Sequence, residues 1–179
     1  MNGTDGKTAR SGWAKGALIP LFLTGMGLFV ACEAPDLAVP NSDQVEDAYT
    51  YGGVLSATVS GNVVEITIVQ ADRQLRRGGT LWAKVGPYIL LFTEETEGLF
   101  RGYPGLAGVR AVTVTPDGAE VARALLTRDA LNDLTWRRAL NIAGLARRDG
   151  TRRPTLLEDL VQWGEDHTEF TYNPRYSRP

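Results

Sequence analysis

The hydrophobic pattern takes four successive characters along the chain. Residues 17–32, ALIPLFLTGMGLFVAC, are apolar almost without a break and follow Lys7, Arg10 and Lys15. A basic start, an apolar stretch and small residues at its end make up a secretory leader; a slightly longer run makes an anchor helix. Residues 33–50 then lose all periodicity, are acidic and contain two prolines, which predicts an extended tether. Strict alternation begins next. With Gly61-Asn62 as a two-residue loop, Leu55, Ala57 and Val59 face Ile68, Ile66 and Val64 on one side of a hairpin. A slip of one residue would place the polar set on that side instead.

Two further strand pairs are expected. Thr80–Val85 and Tyr88–Thr93 flank Gly86-Pro87, and the unbroken apolar run Ile89-Leu90-Leu91-Phe92 predicts a central strand covered on both faces. Val109–Thr115 and Ala119–Leu125 flank Pro116-Asp117-Gly118, which has turn chemistry. Helical spacing takes over after Thr127. Leu131, Leu134, Ile142, Leu145 and Ala146 predict one helix over 129–147, stopped by Gly150. A second helix starts at Thr155, with Thr155 and Glu158 in capping-box spacing. The fold class expected is therefore α+β: a leader or anchor helix, an antiparallel sheet of about six strands, and two C-terminal helices packed on it. The domain boundaries come out as 1–32 for the leader, 33–50 for the tether, 51–166 for the folded domain and 167–179 for a terminal arm.

Charge adds orientation. The basic residues of the leader keep the N-terminus cytoplasmic, so residues 33–179 lie on the outer, periplasmic side. Setting aside the three basic and one acidic residues of the leader leaves 16 basic and 20 acidic, a net charge of −4. That excludes a general nucleic-acid binder. The end of the leader, Leu28-Phe29-Val30-Ala31-Cys32, resembles the lipobox of bacterial lipoproteins. The resemblance implies that Cys32 is lipidated and becomes the new N-terminus. The alternative is a retained helix over 13–32, with Lys15 snorkelling to the interface. Either form contacts the bilayer.

Candidate chemistry is sparse. One histidine, His167, and one cysteine cannot supply a zinc site, no serine lies in a Gly-x-Ser-x-Gly turn, and no P-loop is present. No cofactor is expected. Carboxylates cluster at Glu94, Glu95 and Glu97, and around His167 at Glu165, Asp166 and Glu169. Two carboxylates at the right separation can hydrolyse a glycoside; solvated acids are the plainer reading. Aromatic and arginine residues anchor interfaces. Two segments carry them: Phe100, Arg101 and Tyr103 in the glycine-rich stretch 98–108, and Phe170, Tyr172, Arg175 and Tyr176 in the tail. Either segment reaches a partner or folds over its own domain.

The function expected from these features is a non-catalytic, membrane-anchored accessory subunit that docks on larger membrane protein subunits. Its layout of anchor, tether and small outer domain resembles the subunits that brace bacterial photosynthetic reaction centres and their light-harvesting rings. With no CxxCH motif and one imidazole, the resemblance implies bracing rather than light capture. The alternative is a free-standing lipoprotein that holds a small apolar ligand or glycan in a pocket lined in part by Trp82, Trp136 or Trp163. A carboxylate-based hydrolase is the third reading.

Overall fold

The computed structural model describes residues 37–178 apart from Val54. The expected anchor over 13–32 and the lipidation at Cys32 lie outside the described residues. Among the described residues no helix is long and apolar enough to cross a membrane.

The stretch expected to be wholly an extended tether contains a helix. In α1 (Ser42–Ala48) the Asn41 side chain accepts from the Gln44 amide, and the Gln44 side chain accepts from the Asn41 amide. This reciprocal cap satisfies two donors that a short helix leaves open. Val45 buries its side chain completely in the core. Before α1, the Gly105 amide donates to the Ala38 carbonyl at 2.9 Å. A Cβ on Gly105 would lie 2.0 Å from the Leu37 carbonyl oxygen, so only glycine allows this approach.

The hairpin β1 (Leu55–Ser60) and β2 (Val63–Val69) has the predicted register: Leu55 opposes Ile68, Ala57 opposes Ile66 and Val59 opposes Val64. Gly61 takes the positive φ, 60°, that the turn requires. The next pair of expected strands does not exist. Residues 80–91 belong to a helix, α2 (Asp72–Leu91), which is broken at Gly79 (φ 59°, ψ −154°) and also takes in the charged stretch 72–77. The apolar run is largely buried because this helix packs between sheet and helices, with Val85, Tyr88, Leu91 and Phe92 fully covered and Ile89 half-buried. Gly86 serves proximity rather than a turn: a Cβ there would stand 2.7 Å from Thr113 Cγ2 on the sheet. Helix α3 (Glu94–Gly102) comes next, capped by the Thr93 side chain.

The strands β3 (Gly108–Val114) and β4 (Glu120–Thr127) form the other predicted hairpin, with Gly118 at φ 85° in the turn. A 3₁₀ turn (Arg128–Ala130) leads to α4 (Asp133–Asp149), capped by Asn132, and then to α5 (Thr155–His167). The predicted capping box of α5 is absent. Pro154 already has helical angles, which makes Thr155 the first helical residue and leaves its side chain no capping role. Gly150 ends α4 in the right-handed region, and its missing Cβ makes room for Leu157, which a methyl would approach to 2.5 Å. Leu134, expected on the apolar side of α4, is 69% exposed.

The sheet has five strands rather than about six, in the order β1-β2-β3-β4-β5, and it is mixed rather than antiparallel. β2 and β3 run parallel, Val63 opposite Gly108 through Val69 opposite Val114. A parallel pair needs a crossover of a dozen residues or more, which α2 and α3 supply. The fifth strand, β5 (Glu169–Tyr172), pairs antiparallel with β4, and a short α6 (Pro174–Ser177) ends the described chain.

Register assigns the two faces. Ala57, Val64, Ile66, Ile68, Val109, Ala111, Thr113, Ala122, Ala124 and Leu126 share the face packed under the helices, and all are buried. Ser56, Thr58, Glu65, Thr67, Arg110, Arg123 and Leu125 point the other way and remain half or fully exposed. On that open face Arg110 Nη1 meets Glu65 Oε2 at 3.1 Å across the parallel pair. The edge strand β1 is shielded by α1, because Glu46 Oε1 accepts from the Ala57 amide at 2.8 Å.

Candidate binding surfaces

The two aromatic segments singled out in the sequence end in different places. Phe100 is buried, its ring 6.3 Å from that of Trp136 on α4, and is a core residue. A turn of helix explains this: α3 turns Leu99 and Phe100 inward and Arg101 outward, where Arg101 pairs with Glu97 four residues earlier. Tyr103 is half-buried at the end of α3.

Arg128 is the residue that organises this corner, and no sequence motif marks it. Its guanidinium donates to three carbonyls: Nε to Leu106 (2.7 Å), Nη1 to Phe100 (2.6 Å) and Nη2 to Tyr103. It also lies over the Phe100 ring at 5.3 Å. Carbonyls at a helix end lack intrahelical partners, and a planar fork of donors meets several at once.

The tail folds onto its own domain. β5 extends the sheet, and Asn173 fastens the chain at the end of that strand: its amide donates to Val121 O at 2.9 Å and its Nδ2 to Glu120 O at 2.7 Å. Tyr172 points under the helices. Its hydroxyl donates to Glu165 Oε1 (3.0 Å) and lies 2.6 Å from the Tyr88 hydroxyl. Burial pushes the Tyr88 hydroxyl up to about 12, against the hydrogen bond to Tyr172, which lowers it. Burial and then the Tyr88 contact raise Tyr172 strongly in the same direction. Phe170 is 41% exposed at the sheet margin, 5.0 Å from the Tyr172 ring. Arg175 lies over the Tyr176 ring at 5.6 Å and, with Arg76, Arg178, Asp72 and Asp117, lines a mixed-charge hollow of about 690 Å³.

The lone histidine and Glu165 are drawn into structural contacts, while Asp166 and Glu169 are exposed. His167 Nδ1 lies 2.8 Å from the Trp163 carbonyl, and its ring stacks on Trp163 at 4.0 Å. Arg138 covers the Trp163 ring at 4.7 Å. Glu165 holds Tyr172, and Glu94, Glu95 and Glu97 occupy the first turn of α3, where a helix dipole favours acids. No group of three or more metal-binding side chains comes together among the described residues.

One cavity has a different character. It measures about 680 Å³ and opens at the end of β2, between the start of α2 and the α4–α5 turn. Val69, Leu81, Trp82, Pro154 and Leu157 give it an apolar lining, Gly52 and Gly53 form part of its rim, and Arg73 is the one charged residue among the described residues that line it. Of the three tryptophans considered for a ligand pocket, Trp82 is the one that lines this cavity. Trp136 and Trp163 line separate, more polar hollows.

Compared with known proteins, the chain matches no family model, no curated protein and no solved structure.

Proposed function

We propose that this protein is a non-catalytic accessory subunit, held to the outer face of a membrane by its leader, that docks on and stabilises a larger membrane protein assembly. The observation that carries the reading is the strap at Leu37–Ala38. It is fastened to Gly105, and α1 packs Val45 into the core directly after it, so most of the segment between leader and sheet belongs to the folded domain. A domain whose fold begins so few residues after the leader suits work on neighbours in the same membrane. The open sheet face, with the Glu65–Arg110 pair at its centre, and the exposed Phe170, Arg175 and Arg101 are the surfaces available to such a neighbour. The structural engagement of His167 and Glu165 supports a role without chemistry. The narrower reading, bracing of a light-harvesting reaction centre, rests on the resemblance in layout.

The test is affinity purification of the full chain from gently solubilised membranes. Recovery with larger integral membrane subunits in fixed ratio is expected, and bound pigment in that fraction would identify the narrower version. Recovery as a monomer alone would overturn the reading.

A further inference from the structure

We infer that the cavity beside Trp82 binds a single-chain amphipathic carboxylate of the fatty-acid class, with its chain against Trp82 and Leu157 and its carboxylate at Arg73. Three observations lead there. The volume, about 680 Å³, lies within the range of small-molecule sites, and the lining is mainly apolar, as such sites require. Arg73 is exposed at the mouth and forms no ion pair among the described residues, while its neighbours Asp72 and Arg76 pair with each other at 3.6 Å. No carboxylate lines the cavity among the described residues, so the site carries one uncompensated positive charge. A guanidinium binds a carboxylate through paired hydrogen bonds, and an apolar wall rewards the chain attached to it. The open mouth suits a ligand with a wet end and a dry end. The site stands apart from the docking role, since it lies at the Val69 end of β2 whereas the strap lies beyond the Val63 end.

The experiment uses the full chain in nanodiscs of zwitterionic phospholipid, with a photoactivatable palmitate and the matching palmityl alcohol as probes. Cross-linked peptides are identified by mass spectrometry. Palmitate is expected to label the peptides containing Trp82 and Pro154–Leu157 at least several-fold more than the alcohol does. Arg73→Gln should erase that preference. Gly52→Leu, at a rim position where an added Cβ meets nothing within 4 Å, should reduce labelling of both peptides about tenfold by filling the mouth, with the far-ultraviolet circular dichroism unchanged. Equal labelling by acid and alcohol in the unmodified chain would overturn the proposal. So would labelling of these peptides by a phospholipid with the photoreactive group on its acyl chain, at the level palmitate reaches, or labelling confined to residues 13–32.

Discussion

Arg128 shows how much a single side chain does in this fold. It donates to three carbonyls spread over residues 100–106, where α3 ends and the chain turns into β3. Lysine has the charge but only one nitrogen, so it cannot meet three diverging acceptors. Arg128→Lys is therefore expected to lower stability by about 2–3 kcal/mol, the scale of charged hydrogen bonds lost from a half-buried site, as read by urea denaturation. Tyr88 gives a pH-dependent prediction. Its folded value, about 12, stands above the ordinary 10.0, so the stabilisation it brings is complete below pH 10 and fades as the pH rises through 12. Burial raises Tyr172 as well, the contact with Tyr88 raises it further, and it adds in the same direction. Circular dichroism should show alkaline unfolding setting in above pH 10, in step with tyrosinate absorbance, and Tyr88→Phe should weaken that dependence. Gly164 is the third sensitive point: a Cβ would lie 2.4 Å from the Tyr88 ring. Gly164→Ala should cost about 1–3 kcal/mol by overpacking, measured as a loss of thermal stability.

At the scale of elements, the outer strand β1 is protected by Glu46, which occupies the Ala57 amide. Glu46→Ala should cost only about 0.5–1.5 kcal/mol but raise concentration-dependent light scattering, because it frees a donor on a sheet edge. Elements also show what the sequence could and could not convey. The β1–β2 hairpin was legible to the residue, because alternation and the Gly61-Asn62 turn specify the same register. The helix over 80–91 was not, because Gly86-Pro87 has the form of a turn while serving a helix that lies close on β3. Length was the overlooked signal: the apolar stretch from Thr80 to Thr93 exceeds ordinary strands. The parallel β2–β3 pairing was hidden by that misreading, since without a helix between them no crossover was apparent. Candidate site residues fared unevenly for a similar reason. Phe100 and Tyr172 are aromatic in sequence, yet only the register of α3 and β5 decides that they turn inward. The contacts of Arg128 were out of reach because its acceptors are main-chain carbonyls 22–28 residues away.

For the whole molecule, the two ends of one sheet differ in what they hold: the strap lies beyond Val63 and the apolar cavity near Val69. The docking role predicts that Phe170→Ala and Arg175→Glu, both at exposed positions, reduce co-purification with membrane subunits several-fold while leaving the melting temperature nearly unchanged. The strap has a consequence of its own. Only five peptide steps separate Cys32 from Leu37, a span of at most about 17 Å. Under the proposed anchoring at Cys32, the domain would stay with one membrane and meet its neighbours by diffusion in two dimensions. Short tethers of this kind correspond to effective concentrations in the millimolar range, so contacts too weak to survive in free solution suffice for lasting occupancy. Lengthening that span by about twenty flexible residues should dilute the domain and lower its recovery with partners, though every docking side chain stays in place. Proximity, set by a glycine with no room for a methyl group, would then supply affinity that the interface itself does not.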